Sequence, residues 1–352
     1  MRNSPLHHEV RFTQVASGTR IAWARSGNMG APVLIRTADW LTHLEHDLAS
    51  PTWQPLLQRL GPHLEIVRYD ERGCGLSGTD EVPPSLEASL EELGAVVAAR
   101  GAPRFALIGI GGGGNAAVAY AAQRPDRVSH LVLLGCATHG LNHRKTAPGV
   151  LAFQEAVQRL MEQKWGLDNS GVRQMVTSRF MPGASAEQAA AFNEHQRLAC
   201  DGARAAAISR AINATDVREW ARAVKVPTLV LHSEGDMVIP LARGHQVAAT
   251  IPNARFEALP SRNYIPLVPE PALERLCELI TAFVTEAAAL PALTPAERAL
   301  ASLVGQGLDN LQITAQLGLA EKTVRNRLSA LYAKLGVEGR AMAVVKVREL
   351  GL

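Results

Sequence analysis

The sequence predicts a mixed α/β protein. A largely parallel sheet covered by helices carries a helical cap, and a small all-helical domain follows it. Three observations support this. Short apolar runs alternate with helical periodicity from Val10 to about Ala287, the pattern of strand–helix–strand units. Residues 139–224 interrupt that rhythm with helix-prone sequence rich in aromatic and methionine side chains. Charge is also uneven. From Leu290 onward the chain carries eight basic and five acidic residues, a net +3, while the remainder holds 28 of each sign. The excess positive charge in the last sixth of the chain points to a polyanionic partner there.

In chain order, Val10 to Ala24 alternate around Ser17-Gly18, as a β-hairpin does. Val33–Arg36 and Leu64–Tyr69 are apolar strands, and Pro84 to Ala99 has helical spacing. Phe105 to Ile108 reads as a buried strand, followed by a glycine cluster and an alanine-rich helix. Val128 to Leu134 is the next strand. Within the interruption, most of Phe153, Met161, Trp165, Met175, Phe180, Met181 and Phe192 are expected to fill a helical core of their own. Inserted between two sheet strands, this segment makes a cap over the carboxyl ends of the strands, where open α/β sheets bind ligands. Alternation resumes at Pro227–His232. Asp236 then lies in a loop closed by Pro240, Arg255–Leu259 is the last strand, and Pro271–Ala287 is a closing helix. A short linker at 288–292 precedes a change of composition.

Hydrophobic residues make up 47% of the chain and charged residues 20%, an ordinary globular composition. No uninterrupted apolar run reaches the roughly 18 residues of a membrane-spanning helix. The first ten residues have no apolar core of a signal peptide, so a cytoplasmic protein is expected. Cys74, Cys136, Cys200 and Cys277 lack metal-ligand spacing and read as free thiols. His43, Glu45, His46 and Asp47 lie close together. They are set in a strand-loop context without a matching partner cluster, so ordinary hydrogen bonding is expected there. Neither a metal nor a cofactor is expected.

The segment from Phe105 to Tyr120 has the spacing of a nucleophile elbow, Gly-x-Ser-x-Gly, with Gly109 and Gly113 as its glycines. Gly111 stands at the serine position, and no serine lies between Gly109 and Tyr120. Residues 9–287 resemble an α/β-hydrolase. The matching pieces are Tyr69-Asp-Glu-Arg-Gly-Cys-Gly-Leu-Ser77, the elbow, Tyr120-Ala-Ala-Gln-Arg-Pro125, the acid loop Asp236–Pro240 and the histidine loop Leu259–Pro266. The resemblance carries the Ser, Asp and His positions onto Gly111, Asp236 and Tyr264. Serine supplies the attacking oxygen and histidine moves its proton. Tyrosine, with a reference pKa of about 10, is a poor base near neutral pH. No catalytic residues are therefore expected, and the nearest histidines, His232 and His245, lie outside the loop.

The resemblance implies that a pocket survives. Its oxyanion hole would use the Gly112 amide with one from Thr37-Ala38. The expected ligand-binding set is Thr37, Ala38, Trp40, Gly111, Gly112, Asp236 and Tyr264. Gly111 would leave room for a ligand. Asp236 would accept a hydrogen bond from Tyr264 or from a ligand, or serve the fold alone.

In the last segment, Thr294 suits an N-cap, Pro295 the first helical position, and Glu297 a capping box. Helices are expected to about Val304, over 309–317, over 321–335 with Gly336 as its stop, and over 340–350. Two short helices joined by a glycine turn, the second one basic, form a helix-turn-helix. Leu293-Thr-Pro, Glu297, Gly307, Asn310, Ile313, Ala315, Leu317, Lys322-Thr-Val-Arg-Asn326, Lys334-Leu-Gly-Val337, Arg340 and Ala343 closely resemble a LuxR-type DNA-binding domain. Ala320 replaces the serine usual before the recognition helix, and Arg327 stands where histidine is common. Val324, Leu328 and Leu331 have the spacing of a buried face, with Lys322, Arg325, Asn326 and Ser329 opposite. Arg325 suits guanine and Asn326 adenine, while Thr323, Arg327 and Lys334 suit phosphates.

Together the two resemblances imply a transcription regulator in three parts: a ligand-sensing domain over 1–287 with its cap at 139–224, a linker at 288–292, and a reader of double-stranded DNA over 293–352. A small-molecule effector and a homodimer are expected, without a membrane. Plant gibberellin receptors are similar in using an impaired hydrolase pocket. Two alternatives remain open: an active hydrolase using a non-standard site, and a ligand-free regulator with a purely structural hydrolase shell.

Overall fold

The computed structural model describes residues 8–285, 293–335, 337 and 339–349. The expected linker at 288–292 and the stop at Gly336 lie outside the described residues. The chain divides into two compact units, Met1–Thr285 and Glu286–Leu352.

The first unit is built on an eight-stranded sheet of order β1-β2-β4-β3-β5-β6-β7-β8. Its strands are β1 (Glu9–Gln14), β2 (Arg20–Gly27), β3 (Val33–Arg36), β4 (Glu65–Tyr69), β5 (Phe105–Ile110), β6 (Val128–Leu134), β7 (Thr228–Ser233) and β8 (Arg255–Leu259). β1 and β2 form the expected hairpin, β2 pairs antiparallel with β4, and every later pairing is parallel. The interior strands β5, β6 and β7 are nearly continuous apolar runs because helices cover both faces.

Eleven helices follow the strands in this unit, among the described residues: α1 (Leu44–Ala49), α2 (Trp53–Leu60), α3 (Leu86–Arg100), α4 (Gly113–Gln123), α5 (Pro148–Lys164), α6 (Gly171–Phe180), α7 (Ala186–Ala199), α8 (Gly202–Ala214), α9 (Arg218–Ala223), α10 (Leu241–Thr250) and α11 (Pro271–Thr285). On one face, Val96 and Val97 of α3, Ala117 and Val118 of α4, Ala221 of α9 and Val247 of α10 join a core with Val67, Leu107 and Val230. On the other, Leu57 and Leu60 of α2 and Leu276 and Ile280 of α11 meet Ile66, Ile108 and Leu229.

The cap has its own core, in which Val157 and Met161 of α5 and the capping Trp165 pack against Val172 and Val176 of α6 and Ala205 and Ile208 of α8. An isolated bridge between His139 and Asp216 closes its neck. α9, placed by sequence in the 139–224 cap, instead buries Ala221 in the sheet-layer core. Of the aromatic and methionine set, Met161, Trp165, Met181 and Phe192 are buried, Met175 and Phe180 are half-buried, and Phe153 is 53% exposed.

α1 and α2 replace the strand-loop context expected after Trp40. Within that stretch Asp47 is spent on an internal ion-pair network, its Oδ2 accepting from Arg36 at 3.2 Å and Arg68 at 2.5 Å. Arg36 also donates to Asp39 at 2.6 Å and stacks over Trp53.

The second unit holds α12 (Pro295–Gly305), α13 (Asn310–Leu317), α14 (Glu321–Leu335) and α15 (Arg340–Glu349). The expected capping box forms, with Thr294 and Glu297 satisfying each other's backbone amides. A second box, Asp309 with Gln312, starts α13, and Gly318 ends it in the left-handed conformation, φ 63°. Leu300, Val304, Ile313, Val324, Leu328, Leu331 and Val347 form the core.

Candidate functional site

The elbow is built as a hydrolase builds it. β5 ends at Ile110, Gly111 turns at φ 50°, and α4 starts at Gly113. The Gly111 amide donates to Leu134 O at 2.9 Å, and its carbonyl accepts from Gly114 N at 3.1 Å. The neighbouring glycines answer close packing. A Cβ on Gly113 would lie 2.4 Å from Ala38 O, and one on Gly114 would lie 2.4 Å from Cys136 Sγ.

At Gly111 a Cβ would lie 1.5 Å from the hydroxyl oxygen of Tyr264. The space of a serine side chain is therefore filled, not vacant. The expectation that Gly111 leaves room for a ligand is corrected here, because the phenol of the same chain takes that room. Tyr264 is 5% exposed, its amide donates to Phe180 O at 2.8 Å, and its ring lies 4.9 Å from that of Phe180. Burial holds its hydroxyl well above the ordinary tyrosine pKa, so it is a neutral phenol rather than a base.

Asp236 follows β7. Its Oδ1 accepts the amides of Val238 at 2.7 Å and Ile239 at 2.9 Å, while Oδ2 has no hydrogen-bond partner. Of the alternatives for Asp236, the bond from Tyr264 does not form. Burial pushes this carboxyl up to about 6. His232 comes within 3.5 Å of Asp236 Oδ2, but it is fully buried and its Nε2 meets Ile239 O at 2.7 Å. Ser209 and His139 reach the nearby cavity. The Ser209 hydroxyl accepts from Gln154 and Gln158, and His139 Nδ1 meets Thr138 Oγ1. The hydrogen bonds of His139, His143, His195 and His232 go to Thr138 Oγ1 and to the carbonyls of Ala214, Leu41 and Ile239, not to a serine or cysteine.

Beside the elbow lies a cavity of about 380 Å³ under the cap. Of the seven residues expected to bind a ligand, Trp40, Gly111, Gly112 and Tyr264 line it, while Thr37, Ala38 and Asp236 do not. Thr37 is a strut. Its amide donates to Ile108 O at 3.0 Å, and its hydroxyl donates to Gly113 O at 2.8 Å. Ala38 lines a smaller cleft behind the elbow. The cap supplies what sequence reading missed: Phe153, Val157, Met161 and Met175 with Arg144 and Arg179. Helical periodicity marks a cap but does not say which side chains face its underside.

On α14, Lys322, Arg325, Asn326, Arg327 and Ser329 are exposed, and Thr323 is half-buried. Val324, Leu328 and Leu331 point into the core, as expected. Arg325 forms an exposed pair with Glu321 at 2.8 Å. The Ser329 hydroxyl turns back onto Arg325 O at 3.1 Å. Lys334 is not free for a phosphate. It holds both carboxylate oxygens of Glu297, at 2.7 and 2.6 Å, and so ties α14 to α12. That contact pushes the Glu297 carboxyl down to about 2.

Residues 54–259 match the family described as serine aminopeptidase, S33. The chain belongs to that family. Residues 291–347 match the luxR family of bacterial regulatory proteins. The non-heme haloperoxidase of Rhodococcus erythropolis is 26% identical over 263 residues, covering 72% of this chain and 92% of that protein. The DNA-binding transcriptional activator DevR/DosR of Mycobacterium tuberculosis is 51% identical over 61 residues, which cover 17% of this chain and 28% of the activator. An esterase from Exiguobacterium antarcticum aligns over 79% of this chain and all of its own, with a TM-score of 0.67 at 18% identity, a likeness of fold alone. This S33-family chain is thus a DNA-binding LuxR-type regulator fused to an α/β-hydrolase domain. No described helix is long and apolar enough to cross a membrane.

Proposed function

We propose that the chain is a ligand-responsive transcription regulator whose hydrolase domain binds a small organic molecule without turning it over. One observation carries the reading. The hydroxyl of Tyr264 sits 1.5 Å from where a serine Cβ would have to be, so the nucleophile is both absent and sterically replaced. A neutral phenol stands where the general base belongs. The acid of the triad has meanwhile become an internal acceptor for Val238 and Ile239.

Ligand entering under the cap would bias the regulator only through unequal affinity for two arrangements of the chain. On DNA, a homodimer would place two copies of α14 in successive major grooves, with Lys322, Thr323, Arg325, Asn326 and Arg327 as the contacts.

The test compares ester turnover by the native chain with that of a Gly111→Ser, Tyr264→His double variant. The native chain is expected to be inactive. Brisk native hydrolysis would remove the reading, and its loss in Asp236→Asn would assign the turnover to the surviving acid. An effector that binds the cavity without changing DNA affinity or transcription would remove its regulatory half.

A further inference from the structure

The cavity has a chemical bias that the reading above does not use. Arg144 and Arg179 line it, and no acidic side chain does. Arg144 is the telling residue. Its guanidinium is half-buried, and Nε and Nη2 both donate to the carbonyl of His139, at 3.3 and 2.9 Å. Among the described residues it makes no ion pair. The other cation of the wall, Arg179, donates to Met237 O at 3.0 Å. Partial burial of a guanidinium without a carboxylate beside it is costly. An anion at Arg144 would offset that cost, and a planar guanidinium matches a carboxylate or phosphate well.

Much of the rest of the wall is apolar, and part of it is exposed. Val150, Phe153 and Met237 are exposed large hydrophobics, and all three line the cavity. Asn115, only 7% exposed, lies beside the elbow at the cavity with its Oδ1 unpartnered. A buried polar atom without a partner is costly unless something else supplies the hydrogen bond.

We propose that the cavity takes an amphipathic organic anion: its acidic head at Arg144, its apolar body along Phe153, Met161 and Met175, and a polar substituent at Asn115. This inference rests on the sensor reading for its biological meaning but not for its chemistry.

The experiment titrates the full chain by calorimetry with octanoate, decanoate and 4-phenylbutyrate, each against its neutral amide, while DNA affinity is followed in parallel. At least one acid should bind tenfold or more tightly than its amide. Arg144→Gln should erase that preference, and Arg144→Lys should retain it. Retention of the preference by Arg144→Lys guards against a folding defect in the glutamine variant. Equal binding of acid and amide, survival of the preference in Arg144→Gln, or no binding by any pair overturns the assignment of the head group. Acid-selective binding that leaves DNA affinity unchanged supports the head group and defeats the sensor reading instead.

Discussion

The turn at Gly111 and the helix α14 are both platforms for presenting side chains, and they have diverged in opposite ways. The turn has the elbow's backbone, φ 50° at the point where β5 passes into α4, and carries glycine at the position where the elbow pattern has serine. The helix keeps both: a buried apolar stripe behind and an exposed basic and polar face in front. The backbone of an elbow is held by its strand, its helix and its close-packed glycines, so it keeps its shape with glycine at the serine position. Nothing obliges an exposed face to stay basic except what it touches.

The most damaging way to test this contrast is to restore the missing side chain alone. Gly111→Ser should destabilise the hydrolase unit by about 2–5 kcal/mol, from overpacking against Tyr264 plus a left-handed φ on a non-glycine residue. A denaturant titration measures it. Adding Tyr264→His should recover part of the loss, with a coupling of roughly 0.5–3 kcal/mol between the two sites. Strict additivity would mean that phenol and serine do not compete for one space.

On the reader, Arg325→Ala should weaken specific DNA binding by about 10- to 100-fold and relax sequence preference at one base position. Fluorescence anisotropy on matched and mutated operators reads both. Loss of affinity with unchanged preference would demote Arg325 to a phosphate contact.

The emptied triad should also show in acid. Asp236 titrates at about 6 in the fold against an ordinary 3.8. Between those values the folded chain holds a proton that the unfolded chain has released. Stability therefore falls as pH rises through that window. Asp236→Asn should flatten this part of the stability–pH curve. An unchanged slope would place the effect on the other raised carboxyls, Asp70 and Glu92, both at about 7.

The smallest effect separates two lysines on α14. Lys322→Ala should lower the salt dependence of DNA binding by about one phosphate contact. Lys334→Ala should leave that slope alone and lower stability only slightly, as solvent-screened ion pairs do. Equal slopes for the two variants would return Lys334 to the DNA.

Most strands were legible because interior parallel strands are continuous apolar runs, and the C-terminal helices because capping boxes and a left-handed glycine mark their ends. α1 and α2 were less so. Both are short, and the charged cluster at His43–Asp47 hides that Asp47 serves Arg36 and Arg68 inside the fold. The site was legible only as positions along the chain. Thr37 was named for an oxyanion hole, yet its amide was already committed to Ile108.

The sequence by itself determined the two domains, the elbow with glycine in place of serine, and the basic helix, because each is written in local spacing. Only the tertiary structure decided that Tyr264 fills the place of the missing nucleophile, that Lys334 belongs to Glu297, and that two arginines face a cavity without a carboxylate. Those facts depend on distances between residues far apart in the chain, which periodicity and motif spacing do not encode.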